Sequence, residues 1–111
     1  MYAVIRRYTV NPGGAKELAQ RVEREFLPIL RSVPGFVNYM YMEGGVEWGR
    51  DVLATVSVFE TKSGAEESVQ RAAKWVGDNL TEFAPSQPII TAGEVLTSTY
   101  PMKTKAYAVI R

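Results

Sequence analysis

Val52-Leu53-Ala54-Thr55-Val56-Ser57-Val58-Phe59-Glu60 alternates as a β-strand does, yet neither of its faces is polar. Val52, Ala54, Val56 and Val58 fall on one side, and Leu53, Thr55, Ser57 and Phe59 on the other. A sheet covered on one side only shows polar residues on its wet side. Apolar and small residues on both sides therefore predict cover on both.

Upstream, Glu43 to Asp51 contains three glycines and reads as a hairpin loop, preceded by a strand from Phe36 to Met42. Leu18, Val22, Phe26, Ile29, Leu30 and Val33 recur at helical spacing, which predicts a helix from Ala15 to about Val33. Pro28 removes one backbone hydrogen bond inside it and should bend it, and Pro34-Gly35 ends it. Tyr2 to Val10 is the first strand. It stops at Asn11-Pro12-Gly13-Gly14, a turn without the spacing of a phosphate-binding loop.

Downstream, Ser63-Gly64-Ala65-Glu66 reads as a capping box opening a second helix to about Phe83. Ala65, Val69, Ala72, Ala73, Val76, Leu80 and Phe83 form its apolar stripe. Pro85 and Pro88 mark the exit, and Ile89 to Thr99 is the fourth strand. The order β-α-β-β-α-β is the ferredoxin-like, α+β plan: an antiparallel sheet with two helices on one face. The other face, also apolar, then needs a cover. A second copy laid sheet to sheet supplies one, giving a homodimer that closes a barrel-like sandwich. The alternative is a monomer with an exposed apolar sheet.

With 111 residues the chain is of single-domain length. Thirteen basic against twelve acidic residues leave a charge of +1, so the sequence offers no footprint for nucleic acid or an anionic membrane. The absence of Cys rules out disulfides and suits a reducing compartment. With no signal-like start and no membrane-length apolar run, the expectation is a cytoplasmic protein. The absence of His removes the usual neutral-pH base and the imidazole ligand of zinc and haem sites. The scattered carboxylates have no calcium-loop spacing, so neither a metal nor a cofactor is expected.

Several segments together resemble a known group: "VNPG" after strand one, "FLPILRSVPGFVNYMYM", "SVFETKSGAEES", "AAKWVGDNL" and "PSQPIITAGEVLTS". They look like the antibiotic-biosynthesis-monooxygenase-like branch of the dimeric α/β-barrel proteins, over about residues 2–99. The resemblance implies a dimeric barrel that binds a small aromatic or polyketide-like molecule. It also implies the chemistry of a cofactor-independent monooxygenase, in which a deprotonated phenolic substrate reduces dioxygen directly. Haem-degrading relatives use a His, an Asn on strand one and a Trp on helix two. Here Arg6 stands where that Asn would be, no His exists, and only the Trp persists, as Trp75. Arg71 stands where the phenol oxygenases carry an assisting amide. A fold hosts many chemistries, so a non-catalytic ligand-binding or structural dimer remains the rival function.

Five residues are candidates for ligand contact, each with two readings. Trp75, on the flank of the helix-two stripe, edges a pocket or packs against a neighbour. Arg6 and Tyr8 share one face of strand one, and the resemblance turns that face toward the helices. Arg6 either stabilises a phenolate or enolate there or forms an ion pair with a Glu such as Glu60 or Glu94. Tyr39 and Tyr41 share a face of strand two and clamp an aromatic ligand or pack. Lastly, Tyr107-Ala108-Val109-Ile110-Arg111 repeats Tyr2-Ala3-Val4-Ile5-Arg6. Residues 100–111 are thus read as a tail beyond the 1–99 domain, either a recombination scar or an added edge strand.

Overall fold

Strand β1 (Tyr2–Val10) occupies the middle of the sheet, where its β-branched and aromatic residues have a neighbour on each side. It is followed by helix α1 (Ala15–Arg21), a π-helical turn (Val22–Phe26), helix α2 (Leu27–Arg31) and strands β2 (Phe36–Glu47) and β3 (Arg50–Phe59). Helix α3 (Lys62–Asn79), a 3-10 turn (Thr81–Phe83) and strand β4 (Ile89–Glu94) complete the elements of the described residues. The structure, a computed structural model, describes residues 1–99; the repeated Tyr107–Arg111 segment and the added edge strand expected of it lie outside the described residues. Strand order is β2-β3-β1-β4, every pair antiparallel, which is the ferredoxin-like α+β fold.

The core lies between sheet and helices. Val10, Leu18, Leu30, Val33, Leu53, Phe59 and Leu80 are fully buried there. β1 and β3 run in register from Tyr2 opposite Phe59 to Val10 opposite Asp51. That register places Val4, Arg6 and Tyr8 on the same face as Leu53, Thr55, Ser57 and Phe59. The opposite face is open, with an apolar patch beside the Arg7–Glu47 ion pair. Ile5 is 46% exposed, Met40 51%, Met42 48% and Ile89 65%.

Four local expectations are corrected. The first helix is not a single α-helix with a bend. Pro28 has no N–H to give the carbonyl four residues back, and the chain widens just before it into a π turn, closed by Leu27 N–H donating to the Val22 carbonyl. The stretch read as a long loop is mostly strand. Gly44 and Gly45 sit at a bulge between Glu43 and Val46, and pairing resumes up to Glu47 opposite Arg50. Only Trp48 and Gly49 form the loop, both with positive φ (54° and 74°), the backbone of a tight two-residue hairpin turn.

The cap of α3 is Thr61 rather than Ser63. The Thr61 hydroxyl accepts from the Gly64 amide at 3.1 Å, and the Glu66 of the expected box has no part in it. A side chain at Gly64 would meet the Pro34 carbonyl at 2.9 Å, so only glycine lets the helix start so close to the preceding turn. Finally, β4 ends at Glu94 rather than Thr99, and α3 at Asn79 with Phe83 in the separate 3-10 turn. Among the described residues no helix is long and apolar enough to cross a membrane.

Candidate functional site

The inner face of the sheet is where the polar residues of this fold are concentrated. Arg6 and Thr55 are direct partners across β1 and β3, and Tyr41 and Tyr39 stand opposite Thr55 and Ser57 on β2. Helix α3 closes over this face with Ser68, Ala72 and Trp75, which are buried, and Val69 and Val76, which are half-buried. The π turn contributes Val22 and Phe26. Between them lies a cavity of about 30 Å³ whose polar lining includes Arg6, Tyr8, Tyr39, Thr55, Ser57 and Ser68. That volume holds roughly two waters.

Arg6 is the unusual member. It is only 8% exposed and among the described residues makes no ion pair, while none of its fully buried nitrogens lacks a hydrogen-bond partner. Burial lowers its pKa from the ordinary arginine value, an effect opposed by the nearby Tyr8 and Tyr39. An arginine stays protonated in proteins all the same. The result is a largely buried cation at a cavity wall, with no counter-ion among the described residues. Within the chain the salt bridges of the described residues include none between Arg6 and Glu60 or Glu94, both of which lie at the Tyr2 end of β1, four residues along the strand from Arg6. Glu94 is directly opposite Tyr2, and Glu60 follows Phe59, which is opposite Tyr2 on the other side.

Burial also raises the pKa of Tyr8, with Arg6 pulling the other way, so the hydroxyl remains a donor at neutral pH. Burial raises Tyr39 further, helped by Tyr8 and Tyr41 and opposed by Arg6 and a hydrogen bond to Thr55. Trp75 stacks at a tilt on Phe26, ring centroids 5.2 Å apart, and Phe26 meets Tyr39 edge-on at 6.3 Å. Trp75 is therefore both packed and pocket-lining, the two readings that the sequence left open. It sits on the buried face of α3 rather than its flank. Gly64, Ala65, Ser68, Ala72 and Trp75 are the buried residues of that helix, while Ala73 of the expected stripe is exposed.

Four of the five candidates, Arg6, Tyr8, Tyr39 and Trp75, thus come together. Tyr41 does not. Its hydroxyl donates to the Ala15 carbonyl at 3.0 Å and ties β2 to the start of α1. Arg71 lies outside as well, held at the surface by Glu67 at 2.7 Å and the Ser32 hydroxyl at 3.2 Å. Thr55, Ser57 and Ser68 were not anticipated. The signal for the first two was present: two hydroxyls on the inward side of a strand whose other inward residues are Leu53 and Phe59. Among the described residues no group of three or more His, Cys, Asp or Glu gathers as a metal site.

Arg6, Tyr8 and Val76 also border a smaller space, of about 10 Å³, beneath Pro85, Ser86 and Pro88. This segment is pinned to β1 by two hydrogen bonds of 2.9 Å, Ser86 N–H to the Thr9 carbonyl and Thr9 N–H to the Ser86 hydroxyl.

Fold and site together define an α+β ferredoxin-like protein with a polar-lined cleft under its helices and an apolar outer sheet face. No family model matches the sequence, and no curated protein matches it. Among solved structures it is similar to NE2512, a protein of unknown function from Nitrosomonas europaea, at 20% identity and TM-score 0.69, over 91% of this chain and 94% of the other. A dimeric ferredoxin-like protein from an uncultured marine organism matches at 10% identity and TM-score 0.66, over 87% and 96%. SnoaB, a cofactor-independent oxygenase from Streptomyces nogalater, matches at 13% identity and TM-score 0.62, over 90% and 97%. At these identities the likeness is one of fold. That fold is shared by solved structures of the antibiotic-biosynthesis-monooxygenase-like proteins that the quoted segments resemble.

Proposed function

We propose that the chain is a homodimer whose subunits each bind a small anionic molecule, aromatic or polyketide-like, at the Arg6 cleft. The observation that carries the ligand reading is Arg6 itself. A largely buried cation with no counter-ion among the described residues is costly to keep unless something negative meets it. An incoming phenolate, enolate or carboxylate oxygen would do so, with the Tyr8 hydroxyl available as a second donor. The homodimer is supported by the open face of Ile5, Met40, Met42 and Ile89.

The chemistry such a site could perform is cofactor-independent monooxygenation. Arg6 would favour the ionised form of the substrate, and the resulting carbanion would reduce dioxygen. A methylene then becomes a carbonyl, one oxygen atom being retained and the other leaving as water. None of the cleft residues named above is a base at neutral pH, so the proton must leave to solvent. That same lack of a base, with a cavity of about 30 Å³, favours the rival reading of a binder without catalysis.

Oxygen uptake with an anthrone, without added metal, flavin or haem, separates the two. An oxygenase consumes oxygen, slows with Trp75→Phe and slows more with Arg6→Ala. Binding of the anthrone without uptake identifies the binder.

A further inference from the structure

The roomiest cavity described in the fold is not at Arg6. It lies at the other end of the same strand face, between the first turns of α3 and the strands β1 and β4, with a volume of about 140 Å³. Tyr2, Ala65, Val69 and Ala92 supply its apolar walls, and Lys62 and Glu66 stand at its rim. Val69 borders both cavities. On β1, Tyr2 faces the far cavity, Val4 and Arg6 face the near one, and all three point to the same side of the strand. On α3, Ala65 and Val69 belong to the far cavity, and Ser68, Val69 and Ala72 to the near one. Both spaces therefore lie under one helix and over one strand, divided by a half-buried valine.

We infer that the two cavities are the halves of one elongated site for a straight-chain carboxylate, its head on Arg6 and its chain passing Val69 into the far cavity. This rests on the reading of Arg6 as an anion site. The dimensions select the shape. A near cavity of about 30 Å³ takes a carboxylate-sized group, and a flexible chain threads a neck that one valine side chain can open. From Arg6 to Tyr2 is four residues, about 13 Å at about 3.3 Å per residue, roughly the reach of a ten-carbon chain. The walls beyond Val69 are apolar, which suits the chain and would waste a second charge.

Calorimetric titration of the full chain with acetate, hexanoate, octanoate and decanoate tests this. Affinity should rise about fourfold per methylene once the chain passes Val69, and decanol should bind far more weakly than decanoate. Ala92 is exposed on the edge strand and can be enlarged without touching the core. Ala92→Phe should fill the far cavity and weaken decanoate about tenfold, while Arg6→Gln should weaken every acid in the series by a similar factor. Val69→Trp should block decanoate in the same way. If affinity does not grow with chain length, or Ala92→Phe and Val69→Trp leave decanoate unaffected, the elongated site is wrong. The Arg6 anion site then still stands, provided benzoate binds and loses affinity in Arg6→Gln. If neither decanoate nor benzoate binds, the anion site and the elongated site fall together.

Discussion

The two faces of the sheet invert the usual distribution of polarity. The inner face, under the helices, buries an arginine, two hydroxyl residues of β3 and a tyrosine of β1; the outer face exposes Ile5, Met40, Met42 and Ile89. Buried polar groups and exposed apolar patches are the informative departures in a folded chain. Here each has its own meaning. On the function proposed above, the inner departure is a cation that meets an anionic ligand, and the outer one is a surface that meets a second copy.

A charge placed on the outer face should have the largest effect. Ile5 is exposed in the single chain, so Ile5→Glu should leave the fold intact while burying an unpaired carboxylate in a sheet-to-sheet dimer. Light scattering should show about twice the chain mass for the parent and the single mass for the variant, with the dimer weakened about a thousandfold. An unchanged mass for the variant, or a monomeric parent, breaks this half of the contrast.

The inner face is sharpened by removing its cation without leaving a gap. Because Arg6 has no counter-ion among the described residues, Arg6→Met strands no carboxylate there, and the unliganded protein should melt at the same temperature or be stabilised by about 1 kcal/mol. A loss of several kcal/mol would mean that Arg6 is held by an interaction and is not waiting for a ligand.

The smallest effect concerns how α3, the lid of that inner face, begins. Thr61→Ala should cost about 1 kcal/mol, a fall in melting temperature of roughly 4 to 8 °C, because the Gly64 amide loses its acceptor. Ser63→Ala should cost only a few tenths of that. Equal losses would restore the capping box that the sequence suggested.

The order of elements was legible in the sequence because strands and helices here keep clean periods; the inward direction of Arg6 and Tyr8 came from the family resemblance. The start and orientation of α3 were harder to read. Its stripe seemed to centre on Val69 and Val76, but those are half-buried at the cavity edges. The face that packs is turned by roughly a quarter-turn toward Trp75 and is built from Gly64, Ser68 and Ala72. Small residues let the helix approach the sheet, and hydropathy gives them little weight. The β2–β3 hairpin was misjudged for a related reason. Glycines suggested a loop, whereas Gly44 and Gly45 sit at a bulge within continuing strands. That no described carboxylate pairs with Arg6 had no sequence signal, since the many glutamates of the chain offered nominal partners.

The tight turn at the end of that hairpin has an optical consequence. The chain has two tryptophans: Trp48 on the turn is 94% exposed, and Trp75 against Phe26 is 8% exposed. Their emission should separate, red-shifted and open to iodide for the first, blue-shifted and shielded for the second. Trp48→Phe leaves a fluorophore on the cleft wall, and Trp75→Phe leaves one on the hairpin tip. The protein thus carries an intrinsic dye at each of two distant places, and either can be followed without a label.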